Sequence, residues 1–126
     1  PRPALDRQLV WHVYKPLDDA AMNQAALHLI GSHDFSSFET QPTENEDPLC
    51  DLQHLVVIRE GPELRIEAYA DRFLKQMVRS LVGTLVEVGH GKRAPASLPG
   101  ILAARDRRAA GKTAPPQGLC LVRVDY

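Results

Sequence analysis

Few of the 126 residues have the type and spacing to do chemistry, and Arg79 is the most informative of them. Over residues 73–88 the apolar positions Leu74, Met77, Val78, Leu81, Val82, Leu85 and Val88 recur at helical spacing and predict one wide buried face. Arg79 falls off that stripe, on a second face with Gln76, Gly83 and Val86. A glycine such as Gly83 in mid-helix costs about 1 kcal/mol relative to alanine. That cost makes sense where something packs close against the second face. A guanidinium on a helix covered from two sides needs a carboxylate or phosphate partner. On a helix with a wet outer face it is an ordinary solvated charge, and spacing alone admits both readings.

The other reactive residue types are scattered. His12, His28, His33, His54 and His90 include no pair at i, i+4, and no HExxH, GxSxG, Walker loop or GxGxxG occurs. Each histidine reads as a surface or cap residue. In the His33-Asp34 pair the aspartate reads as a turn residue that bonds local amides. Cys50 and Cys120 lie far apart without a CxxC or a Cys/His cluster, which argues against zinc and for two reduced thiols. Lys92, Arg93, Arg105, Arg107, Arg108 and Lys112 form the best candidate for an RNA-facing patch. The competing reading is a solvated helix face whose charges complement the helix dipole. A net charge of −1 argues mildly against nucleic-acid binding by the chain as a whole. The charge is unevenly spread, however. From Arg59 onward there are 12 Lys and Arg against 7 Asp and Glu, and before it 3 against 9.

Several elements must position these residues. Residues 8–14 (QLVWHVY) read as a strand, followed by a helix capped by Asp18 and running to about Ile30, where Gly31 stops it. Residues 32–38 (SHDFSSF) read as an irregular turn, and residues 39–48 as a polar acidic loop. Two β-like runs, 52–60 and 64–70, flank Gly61-Pro62-Glu63, a hairpin signal. Leu64, Ile66, Ala68 and Ala70 share one face of the second run. After the helix over 73–88, ended by Gly89, Pro95 opens another reaching about Arg108, with Ile101 and Leu102 inward. A loop over 111–118 leads to a last strand over 119–124. The order predicts an α+β fold, a four-stranded antiparallel sheet of ferredoxin-like character with helices on one face, as a single domain. No run of apolar residues is long enough to span a membrane.

Three segments then add a family resemblance. Residues 73–91 (FLKQMVRSLVGTLVEVGHG) resemble the segment F-L-x-x-M-V-R-x-x-V-G-x-L-x-x-V-G-x-G of TruA-type tRNA pseudouridine synthases. Residues 102–126 (LAARDRRAAGKTAPPQGLCLVRVDY) are similar to that family's ending L-x-x-x-D-R-x-x-A-G-x-T-A-P-x-x-G-L-x-L-x-x-V-x-Y. Residues 31–38 (GSHDFSSF) resemble its G-x-H-D-F-x-x-F motif. One such segment is a weak signal, whereas three in order and at matching spacing over nearly the whole chain are specific. The resemblance implies isomerisation of uridine to pseudouridine in the anticodon stem-loop of tRNA, in the cytoplasm, without cofactor or metal. It implies a homodimer for the whole enzyme. It also implies that Arg79 is the partner of a catalytic aspartate, with Phe73, Met77 and Val78 forming the wall beside it.

Two parts of the family's machinery have no counterpart here. The G-R-T-D-x-G-V motif that carries the aspartate is absent, and Tyr14, Tyr69 and Tyr126 do not match the family's tyrosine motif. The chain therefore resembles the C-terminal half of such an enzyme, starting at Pro1 rather than at a methionine, and is expected to be inactive without the other half. The alternative is a non-catalytic RNA-binding or assembly module on the same fold. Two departures stand out: acidic residues (Glu44, Glu46 and Asp47) follow the H-D-F motif where relatives often carry basic ones, and Arg72 precedes Phe73 where glycine is common.

Overall fold

Strand β4 (Glu63–Ala70) shows how a two-residue period decides a structure: Leu64, Ile66, Ala68 and Ala70 are buried, while Arg65, Glu67 and Tyr69 are half-buried on the other face. In the computed structural model, which describes residues 7–14, 16–39, 49–73, 77–111 and 119–124, β4 pairs antiparallel with β3 (Leu49–Glu60) and with β1 (Arg7–Val13). The β3–β4 hairpin closes through Gly61-Pro62, where Gly61 at φ +63 supplies the left-handed residue that the tight turn needs. β5 (Leu119–Val124) pairs antiparallel with β1 on its far side. With α1 (Asp19–Leu27) and α2 (Met77–Gly89), the order β3-β4-β1-β5 is the expected ferredoxin-like arrangement.

The sheet has five strands rather than four. Residues Gly31–Asp34, expected as irregular, form β2, which pairs antiparallel with β3 from Gly31↔Leu52 to Asp34↔Leu49. This strand has no apolar alternation, because backbone pairing at the sheet edge rather than a buried face holds it. Gly31, at φ +113, begins the strand, and α1 stops earlier than expected, at Leu27. Its last turn tightens through His28 N–H to Ala25 O at 3.1 Å and Leu29 N–H to Ala26 O at 2.9 Å. Its start is as expected, since the Asp18 carboxylate accepts from Ala21 N–H at 3.0 Å. Beyond Leu52 the outer edge of β3 is closed by a side chain: Asn23 of α1 donates to Val57 O and accepts from Val57 N–H, both at 2.8 Å.

The helix expected over 95–108 is also shorter. A 3-10 turn (Pro95–Ser97) leads into α3 (Leu98–Ala104), which ends where Arg105 turns left-handed at φ 50, ψ 38. A bond from a distant element causes the break. Asp106 N–H donates to the buried Ser37 hydroxyl at 2.9 Å, and that hydroxyl donates to Ile101 O at 2.6 Å. Asp106 then caps a second 3-10 turn (Arg107–Ala109) by accepting from Arg108 N–H at 3.0 Å.

The core lies between the sheet and the helices and includes Trp11, Met22, Phe35, Phe38, Leu55, Ile66, Leu81 and Leu85. On the opposite face of the sheet, His12 contacts Glu63 and Arg65 pairs with Glu60 across neighbouring strands, while Arg65 also pairs with Glu67 along β4 itself. Val10 shares that face and is buried there.

Helix α2 includes Gly89 instead of stopping before it, and the left-handed residue past its end is Gly91, at φ +81. The role of Gly89 is close approach. A Cβ there would lie 2.8 Å from Met22 Sδ and 2.9 Å from Leu17 Cβ, and Asp18 N–H donates to Gly89 O at 3.1 Å. Gly89→Ala is therefore expected to destabilise the chain by about 1–3 kcal/mol through overpacking. Urea unfolding measures this, and an unchanged midpoint would show that the two helices separate at no cost.

Candidate functional site

Arg79 sits in the first described turn of α2, half-buried and engaged with its surroundings rather than free. The helix around it is covered on more than its apolar stripe. Met77, Val78, Leu81, Val82, Leu85 and Val88 are buried as expected, and so are Ser80, Gly83 and Thr84 on the flank. α2 is thus packed on more than its apolar stripe, and Gly83 is among the buried residues. Phe73 is half-buried against the core but precedes the helix, and residues 74–76 lie outside the described residues. Arg72 keeps ordinary backbone angles, so no glycine is needed there.

The second layer over α2 is the segment following α3, and two contacts hold it. Thr84 Oγ1 donates to Ser80 O at 2.9 Å and accepts from Gly111 N–H at 2.8 Å. Arg93 donates from Nε to Glu87 Oε1 at 2.6 Å and from a terminal nitrogen to Ala109 O at 3.0 Å. The Glu87 carboxylate lies so close that a Cβ on Gly111 would meet it at 2.8–2.9 Å. Sequence reasoning missed Thr84 and Ser37 as organisers, because their long-range partners are backbone groups 27 or more residues away, and it missed Glu87, whose partner is the Arg93 side chain six residues on. The only visible signal was polar residues inside an otherwise apolar pattern.

The six basic residues separate by environment. Arg93 has a side chain only 25% exposed and is turned into the pair with Glu87. Arg108 is 91% exposed and lies on Asp106 at 2.9 Å. Its hydrogen bond holds the Asp106 carboxyl below the usual carboxylate range, and Asp106 in turn raises the Arg108 pKa. Arg105 is 70% exposed, with Nε 3.5 Å from Asp34 Oδ2. Arg107 is half-buried and engaged, and Lys92 is exposed on the turn after α2. Lys112 lies outside the described residues.

In the H-D-F segment Asp34 bonds local groups as expected, accepting from Ser36 N–H at 2.8 Å and from its hydroxyl at 2.5 Å. His33 Nε2 donates to Ile30 O at 2.9 Å, and its ring meets Phe35 edge-on. Glu39, expected at the start of an exposed loop, is buried and engaged beside Phe38. Residues 40–48 of that loop lie outside the described residues. Among the described residues no cluster of three His, Cys, Asp or Glu could hold a metal ion, and no helix is long and apolar enough to cross a membrane.

Comparison with known proteins bears on this arrangement. A family model described as tRNA pseudouridine synthase matches residues 25–126, which takes in α1 from Ala25 onward, the H-D-F segment, α2 and the C-terminal segment. The chain belongs to the TruA family of tRNA pseudouridine synthases. Similar proteins named tRNA pseudouridine synthase A include one from Acidiphilium cryptum, 50% identical over 125 residues that cover 99% of this chain and 49% of the relative. Another, from Geotalea uraniireducens, is 43% identical over 125 residues covering 99% and 51%. A third, from Rhizobium meliloti, is 46% identical over 123 residues covering 98% and 50%. The chain thus spans about half the length of the curated relatives it matches.

Glu87→Ala and Arg93→Ala are each expected to lower stability by about 1 kcal/mol, since the pair is mostly shielded. The double variant should fall short of their sum by about 0.5–1 kcal/mol. Additive losses in denaturant titrations would mean that the two side chains act separately.

Proposed function

We propose that this chain supplies one half of a tRNA pseudouridine synthase that isomerises uridine in the anticodon stem-loop, in the cytoplasm and as a homodimer when whole. The observation that carries this reading is the alignment of nearly the whole chain with about half of each relative named tRNA pseudouridine synthase A. The absence of a G-R-T-D segment fits it, because the catalytic aspartate then comes from outside these residues.

In this reading Arg79 pairs with that aspartate. A carboxylate in a partly dry cleft needs a fixed positive partner, which keeps it ionised and oriented toward the base. A guanidinium on a helix packed from two sides meets this need, because its backbone cannot shift to follow the carboxylate. Met77 and Val78 anchor the same turn in the core, and Phe73 packs just before it. The target base must leave its stack to reach the carboxylate. Lys92, Arg105, Arg107, Arg108 and Lys112 supply positive charge for the flanking phosphates, and Arg93 adds to that charge from its place beside Glu87.

The 126-residue chain alone is expected to form no pseudouridine in tRNA, and activity should return when it is joined to the other half. Detectable product from the purified chain would refute the need for that half. In the reunited enzyme, Arg79→Ala should lower kcat by about 10²–10³-fold, as for loss of a fixed electrostatic partner. Its unfolding midpoint should stay close to that of the parent. A near-normal rate would remove the role assigned to Arg79.

A further inference from the structure

Arg105 is the only non-glycine residue with positive φ among the described residues. Glycine or asparagine is the usual occupant of a left-handed position after a helix, and a long side chain there carries a backbone cost. The ion pair with Asp34 does not account for the arginine. It is 3.5 Å long with the guanidinium 70% exposed, a geometry worth little in water. A strained, exposed cation held at one position points to a ligand.

Its surroundings form a cleft. Between the end of α1, strand β2 and α3, a cleft of about 320 Å³ is lined by His28, His33, Asp34, Pro99, Leu102, Ala103 and Arg105. That volume lies at the lower end of small-ligand sites. The α3 residues Pro99, Leu102 and Ala103 make an apolar wall. The other side carries two imidazoles, and the guanidinium keeps donors beyond its contact with Asp34. His33 Nε2 donates to Ile30 O, so Nδ1 is the ring nitrogen outside that bond. Apolar wall, imidazole faces and a guanidinium are the groups that take up an unstacked base together with its phosphodiester.

We propose that this cleft is a subsite for a single unpaired nucleotide of the RNA, with the base between the imidazoles and the α3 wall and its phosphodiester on Arg105. The inference rests on the RNA-modifying reading above, and adds a nucleotide distinct from the one that reacts. Asp34 acts as a positioning residue, since one oxygen is tied to Ser36 and the other faces the Arg105 guanidinium.

The test follows the His28 and His33 ring signals by NMR while the chain is titrated with the dinucleotide UpU, with uridine and with inorganic phosphate. UpU is expected to move both rings, and the two smaller probes much less. Arg105→Gly removes the cation and also relieves the left-handed backbone. It should therefore bind an anticodon-arm RNA roughly five- to ten-fold more weakly, with a salt dependence smaller by about 0.7 in log–log slope. Its melting temperature should be equal to or above that of the parent. Arg105→Lys should keep the salt slope. Equal shifts from inorganic phosphate and UpU would reduce the cleft to a simple anion site and overturn the proposal. So would unchanged RNA affinity in Arg105→Gly, or a drop in its melting temperature, which would make the arginine a structural brace. Unchanged RNA affinity would also remove Arg105 from the phosphate-binding residues, but these outcomes leave the catalytic reading untouched, because it stands or falls on turnover and on Arg79→Ala.

Discussion

Helix α2 is held from two sides, and most of the molecule is arranged around that fact. Its apolar stripe meets the sheet and α1, with Gly89 so close to Leu17 and Met22 that no side chain fits between them. Its flank meets the backbone at Gly111 through Thr84, with Glu87 and Arg93 tying the same segment down at Ala109. A helix clamped this way cannot slide or rotate without breaking buried hydrogen bonds, which cost more to leave unmade than they contribute when formed. Arg79 inherits that rigidity. In the proposed enzyme, a charge partner that holds still contributes more than one that must reorganise.

The bonds that hold the layers together come from a few polar side chains reaching backbone groups far away in sequence. Ser37 joins the H-D-F segment to Ile101 and Asp106, Asn23 seals β3 at Val57, and Thr84 links α2 to Gly111. Each satisfies backbone groups where a helix or strand pattern ends. The Ser37 bridge also shapes the surface. By taking the Asp106 N–H it ends α3, and the chain then turns through Arg105 in a conformation arginine seldom adopts. An interior hydroxyl thereby sets the direction of an exposed cation.

Charge is sorted by the same packing. Of the cations in the second half, Arg93 is drawn into a shielded pair and Arg65 into a ladder on the open face of the sheet. Arg108 is paired with Asp106 but lies in water, where such a contact is weak. Counting lysines and arginines along the chain treats these residues as equal, whereas the structure makes some of them parts of the fold.

Local pattern was enough for much of this protein. Period-two alternation in LRIEAYA, the hairpin at Gly61-Pro62, the Asp18 cap and the stripe from Met77 to Val88 each depend on neighbours a few residues away, so each was legible in the sequence. The ferredoxin-like order followed from them, and the three motif segments carried the family. The tertiary structure alone decided the rest. Strand β2 exists because β3 offers an edge, and α3 stops because Ser37 arrives from 69 residues away in sequence. The burial of the Arg79 helix on its second face depends on a segment beginning near Ala109. Backbone pairing and single long-range hydrogen bonds leave no periodic trace in a sequence, which is why these features appeared only once the chain was folded.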